Sequence, residues 1–126
     1  MFDPKTADSV MLAYLGDAVW EMLVRERLFY TVPEGNAEAN HIALEYVTAA
    51  SQVKALVKIA PHLTEEESDV FRRGKNAKTH NTPKSVTQYE YRQATGLEAL
   101  FGYNYVMGRH ERNKELFNIA FPTGNL

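Results

Sequence analysis

Residues 6–29, TADSVMLAYLGDAVWEMLVRERLF, read as one long helix. Val10, Met11, Tyr14, Leu15, Ala18, Val19, Met22 and Leu23 recur at three- and four-residue spacing, the period of a helix face rather than of a strand. Asp8 or Ser9 offers a side-chain oxygen to cap the start, and Pro33-Glu34-Gly35-Asn36 supplies turn chemistry beyond the end. Outward from this stretch the same period runs from Ala37 to Ile59, with Ile42, Tyr46, Ala49, Val53, Leu56 and Val57 on one face and Pro61 as the stop. Thr64-Glu65-Glu66-Glu67 forms a capping box. It heads a short helix with acid in the first turn and Arg72-Arg73 near the end, the order the helix dipole favours. Gly74 to Pro83 reads as a polar loop, Val86 to Met107 as a further helix, Gly108 as a break, and Arg109 to Phe121 as a last amphipathic helix. Alternating patterns and hairpin dipeptides are scarce. The expectation is an all-α fold, one compact helical domain over 1–126 with no internal repeat.

The composition narrows the function classes. At 126 residues, 44% hydrophobic and 24% charged, the chain has the make-up of a globular domain with one real core, not of a disordered or fibrous one. It has no cysteine, so disulfides, thiolate zinc sites and cysteine nucleophiles are excluded. No run of about 18 apolar residues exists to cross a membrane, and Met1-Phe2-Asp3-Pro4 does not begin a signal peptide. A cytoplasmic location is expected. The net charge of −2 argues against a basic coat but leaves room for a local basic patch.

The familiar catalytic motifs are missing. His41, His62, His80 and His110 are scattered, and His110-Glu111 starts like a zinc-protease helix but has Lys114 where the second histidine belongs. There is no glycine-rich phosphate loop and no Gly-x-Ser-x-Gly elbow. Two acids stand out instead. Asp17 lies mid-helix next to Gly16, and both residues weaken helices. Either Asp17 falls on the wet face, or Gly16 admits a close backbone and Asp17 is held at a helix–helix seam. Glu98 lies in a second apolar helix among Gly96, Ala99 and Gly102, small residues that permit a tight crossing. If the two helices cross, the two carboxylates repel unless a cation lies between them, and magnesium suits a site with one or two carboxylates and several waters. The commoner outcome for a buried carboxylate is an arginine partner.

Charge supplies a third signal. No acid occurs between Val70 and Tyr89, a stretch that holds Arg72, Arg73, Lys75, Asn76, Lys78, His80, Asn81 and Lys84. Such a run is a solvated surface or a grip on phosphates. A carboxylate pair beside a phosphate-binding run makes the two halves of a metal-dependent nuclease.

These residues carry a family resemblance. Tyr14-Leu15-Gly16-Asp17-Ala18-Val19 resembles the signature of the ribonuclease III catalytic domain, and Leu97-Glu98-Ala99-Leu100-Phe101-Gly102 resembles its second acidic motif. The order, the spacing, the short length and Arg72-Arg73-Gly74-Lys75-Asn76 are similar to the Mini-ribonuclease III subfamily, a catalytic domain without a double-stranded-RNA-binding domain. The resemblance spans about Ala7 to Phe121. It implies an all-α homodimer that cuts both strands of double-stranded RNA with Mg2+, leaving 5′-phosphates and short 3′ overhangs, in maturation of the large-subunit (23S) ribosomal RNA precursor. A ribosomal protein that shapes the substrate is an implied partner. Catalysis and metal binding would fall to Asp17 and Glu98, and the dimer contact to Tyr14. Arg72, Arg73, Lys75, Asn76, Lys78 and Lys84 would hold RNA.

Three positions depart from the family pattern: Val10, Ala13 and Thr95 stand where acids are expected. More waters around the metal follow, with Thr95 or Glu21 as candidates to orient them from behind the direct ligands; Glu21 can instead pair with Arg25 one turn on. Two rival readings remain: a non-catalytic double-stranded-RNA-binding module of the same fold, and a helical adaptor in which both acids are structural.

Overall fold

The computed structural model describes residues 2–77, 82–84 and 86–123. Among the described residues six α-helices make up most of the chain, and there is no strand. Helix α1, Ser9–Thr31, is capped by the Asp8 carboxylate, which accepts from the Val10 amide. Pro33 and Gly35, whose φ is 107°, turn the chain into α2, Asn36–Val47. The single helix expected over Ala37 to Ile59 is broken at Thr48, which leaves helical geometry and caps α3, Ala49–Ile59, by accepting from the Ser51 amide at 3.2 Å. An N-capping threonine inside an unbroken helical period does not disturb the period, so hydropathy alone joins the two helices. A 3-10 turn through Pro61 then ends α3.

Helix α4, Glu65–Lys75, starts on the expected capping box: the Glu67 amide donates to Thr64 Oγ1 at 3.1 Å, and the Thr64 amide to Glu67 Oε1 at 2.9 Å. It runs further than the sequence suggests. Arg72 and Arg73 lie near its end as expected, but Gly74 and Lys75 continue the last turn rather than open the loop, because buried Gly74 is the residue that lets α4 touch α5. Helix α5, Gln88–Val106, begins on a second capping box, Thr87 with Glu90. Gly108, with φ 76°, makes the expected break before α6, His110–Ala120.

Helix α5 is the central element, buried on all sides from Ala94 to Leu97 and from Ala99 to Asn104. One core cluster joins Trp20, Val24 and Leu28 of α1 to Leu97, Leu100 and Phe101 of α5, with Ala55, Leu56 and Ile59 of α3 and Leu116 and Phe117 of α6. Trp20 packs edge-on against Phe101 and Phe117, and its indole N–H donates to the Tyr46 carbonyl at 2.9 Å. Burying that large ring without a partner for its N–H would cost stability. A buried ion pair ties α4 to α6. Glu67 accepts from Arg112 through both oxygens, at 2.8 and 2.9 Å, and from the Asn104 amide at 3.3 Å. Its carboxyl is held down to about 2 by these donors and the Thr64 amide, which together outweigh its burial.

Candidate active site

The site is built on the crossing of α1 and α5. A Cβ on Gly16 would lie 1.6 Å from the Glu98 carbonyl oxygen, and one on Gly102 would lie 2.0 Å from the Leu12 carbonyl oxygen. No side chain fits at either place, so the two backbones meet directly. This contact turns Asp17, the residue after Gly16, toward Glu98. Asp17 is solvent-exposed and Glu98 half-buried, and no arginine joins either of them among the described residues. The pKa of Glu98 is raised to about 8, first by burial, then by the negative charge of Asp17 and a hydrogen bond with it; a Gln52 hydrogen bond acts the other way. A carboxyl so placed keeps its proton at neutral pH or gains a cation.

Both acids open onto a cleft of about 440 Å³. Val10, Ala13, Tyr14 and Asp17 line it from α1, Gln52 from α3, and Tyr91, Ala94, Thr95 and Glu98 from α5. Val47, Ala49, Pro83 and Val86 complete the rim. The three positions that lack an expected acid, Val10, Ala13 and Thr95, therefore face the same space as the two acids. The Thr95 hydroxyl donates to the Tyr91 carbonyl at 2.8 Å, which leaves it an acceptor toward the cleft. Among the described residues no group of three or more histidines or acids converges. Two carboxylates with neutral oxygens beside them fit a hard cation that keeps most of its waters, and fit poorly a metal that needs a complete protein cage.

The other expected site residues are placed as follows. Glu21 pairs with Arg25 at 2.9 Å and lines a different groove, with Phe29 and Asn40, away from the Asp17 cleft. Arg72 pairs with Asp69. Arg73 lies 3.4 Å from Asp69 and donates to the Lys5 carbonyl at 3.0 Å, in a separate cleft with Tyr103 and Arg109. Lys75 extends over the Phe71 ring, and Asn76 closes the end of α4. Lys84 is exposed and adjoins Pro83 on the rim, whereas Lys78 lies outside the described residues. Tyr14 is 75% exposed on the outer side of α1. Gln52, which hydropathy period alone does not single out, also faces the cleft. It shares the 52, 55, 56, 59 stripe with Ala55, Leu56 and Ile59, and that stripe becomes legible once Thr48 is taken as the start of α3.

A helical domain whose first and fifth helices carry these two acids across a glycine seam is the ribonuclease III catalytic fold. The chain belongs to the ribonuclease III domain family, which it matches over residues 10–109, and is by that membership a hydrolytic endoribonuclease. Its relatives include the Mini-ribonuclease 3 of Symbiobacterium thermophilum, 46% identical over 121 residues that cover 94% of this chain and 91% of the relative. The Mini-ribonuclease 3 of Brevibacillus brevis is 38% identical over 122 residues, covering 94% and 89%. A crystal structure of a protein from Fusobacterium nucleatum, 35% identical, superimposes with a TM-score of 0.80 over 96% of each chain.

Proposed function

We propose that this chain is a magnesium-dependent endoribonuclease that hydrolyses double-stranded RNA and leaves 5′-phosphate ends. The observation that supports it most is the meeting of Asp17 and Glu98 on an open cleft, with Glu98 left to hold a proton or a cation. These two carboxylates would hold the ion. The chemistry the ion supplies when bound is activation of a water and polarisation of the scissile phosphate. Glu98 would release its proton to hold the ion, and Thr95 Oγ1, whose hydrogen is engaged by the Tyr91 carbonyl, would have lone pairs left to accept from a water beside the acids. The open cleft and its shallow rim suit a duplex, which proteins recognise through shape, 2′-hydroxyls and phosphates. Lys84, exposed beside Pro83 of the rim, would be a donor to an RNA phosphate. The last turn of α4, with Arg72, Arg73, Lys75 and Asn76, offers further donors, and Lys78 belongs to the same basic run.

The reading extends to a homodimer, since two sites related by a two-fold axis address the two antiparallel strands. The biological substrate we infer is the large-subunit (23S) ribosomal RNA precursor, cut in the cytoplasm with help from a ribosomal protein. The absence of acids at Val10, Ala13 and Thr95 favours one other reading, an RNA-binding module of this fold that does not cut. Incubation of end-labelled duplex and single-stranded RNA, with Mg2+ or EDTA, separates the two. We expect cutting of the duplex alone, dependent on Mg2+ and lost in Asp17→Asn and Glu98→Gln. Duplex binding that survives EDTA, with no cleavage at any Mg2+ concentration, would establish the module instead.

A further inference from the structure

Gln52 is 4% exposed, on the face of α3 whose other members, Ala55, Leu56 and Ile59, belong to the apolar core. A primary amide in such a stripe is unfavourable unless its polar atoms find partners. Among the described residues its side chain makes one hydrogen bond: Nε2 donates to Glu98 Oε2 at 3.5 Å. Thr48 sets this up. By breaking the chain between α2 and α3 and capping α3, it places residue 52 one turn into a helix that packs on α5. Glu98 is thereby flanked by Asp17 from α1 and by Gln52 from α3.

We infer that Gln52 is a positioning residue for the reaction: its amide holds one oxygen of Glu98 toward α3 and leaves the other free for the cation. The inference rests on the proposed metal site and goes beyond it. An amide suits the position better than the alternatives. A third carboxylate would add repulsion to a pair that already repels, and an apolar side chain would let the Glu98 carboxyl rotate. A carboxamide donates N–H to the carboxylate without adding charge to the pair. Side chains that orient a metal ligand in this way typically carry about 10- to 100-fold of the metal affinity.

The test is Mn2+ binding to the full chain without RNA, read from the electron paramagnetic resonance signal of free Mn2+, alongside thermal melts and the Mg2+ dependence of duplex cleavage. Gln52→Leu is expected to bind Mn2+ about tenfold more weakly than wild type while still melting cooperatively. Its cleavage rate should recover at saturating Mg2+, because the residue acts through Glu98 and does not touch the phosphate. Gln52→Met, close to glutamine in length, is the second variant should leucine leave a hole that unfolds the protein, and the same loss is expected. Mn2+ binding at the wild-type level in a folded Gln52 variant, with binding lost in Glu98→Gln, overturns the inference and leaves the metal site standing. Wild-type binding in Glu98→Gln itself overturns the site, and the inference with it.

Discussion

Glu98 is the residue on which fold and chemistry pull in opposite directions. In the metal-free folded protein its carboxyl titrates at about 8 rather than at the ordinary 4.5, because it is half-buried and faces Asp17. Between those two values the folded state holds a proton that the unfolded chain has released, so stability falls as pH rises through that window. The full effect is at most about 5 kcal/mol. Urea unfolding in EDTA should show wild type losing stability from pH 5 to pH 8, and Glu98→Gln losing much less. Adding Mg2+ at pH 7.5 should recover the loss in wild type alone, since a ligand that binds only the folded state stabilises it. Equal slopes in the two proteins would mean that Glu98 is better solvated than its surroundings imply. Thr95, one turn before Glu98 on the same face, allows the reverse experiment. Thr95→Asp returns an acid to the cleft with little change in size. It should lower the Mg2+ concentration needed for half-maximal cleavage several-fold and lower the melting temperature in EDTA. Both acids were legible in the sequence because aspartate and glutamate are out of place in apolar helices. Gln52 was not, since a polar residue stands out only after the register of its helix is known, and that depended on the break at Thr48.

Among the elements, α1 and α5 carry the site because glycine removes the side chains that would hold them apart. Gly16 and Gly102 face one another across the crossing, and a Cβ on either enters a backbone carbonyl of the other helix. Backbone cannot swing aside as a flexible side chain can. Gly102→Ala should therefore destabilise by about 3 kcal/mol or more, although alanine is the better helix former. The same shift moves Asp17 away from Glu98, so Mn2+ affinity should fall together with the melting temperature. A Gly102→Ala protein that melts like wild type would show that the helices can slide past each other. The small-residue pattern announced this crossing in the sequence. The end of α4 is hidden in the sequence for a related reason: Gly74 beside a basic run looks like loop chemistry, yet it is a third close-packing glycine, buried against Ala99 and Gly96 of α5. Glycine marks a turn and a tight helix contact with the same letter, and only the partner helix tells them apart. The straight α2–α3 helix failed differently, because hydropathy has no term for a capping side chain.

At the scale of the whole molecule, α1 is apolar on two faces, and α5 covers only one. Met11 is 59% exposed, Tyr14 75% and Met22 66%, along the outer side of the same helix that buries Trp20 and Val24. Large apolar side chains gathered along one helix face mark an interaction surface more often than scattered ones do. Tyr14 also lines the cleft, so a partner seated on this face reaches the lip of the site. A second copy related by a two-fold axis would bring two clefts to one RNA, one for each strand. Wild type should then sediment as a dimer at concentrations where it cuts. Met11→Glu combined with Met22→Glu places charge on the stripe but not in the cleft; it should give a monomer with unchanged helical circular dichroism. The products carry the more specific expectation. Paired sites release double-strand breaks visible on a native gel, whereas a monomer that still binds RNA leaves nicks that appear only after denaturation. If the double variant stays dimeric, the partner face lies elsewhere than the outer side of α1. If it is monomeric and still makes double-strand breaks at the wild-type rate, each cleft serves both strands and the dimer is not required for cutting.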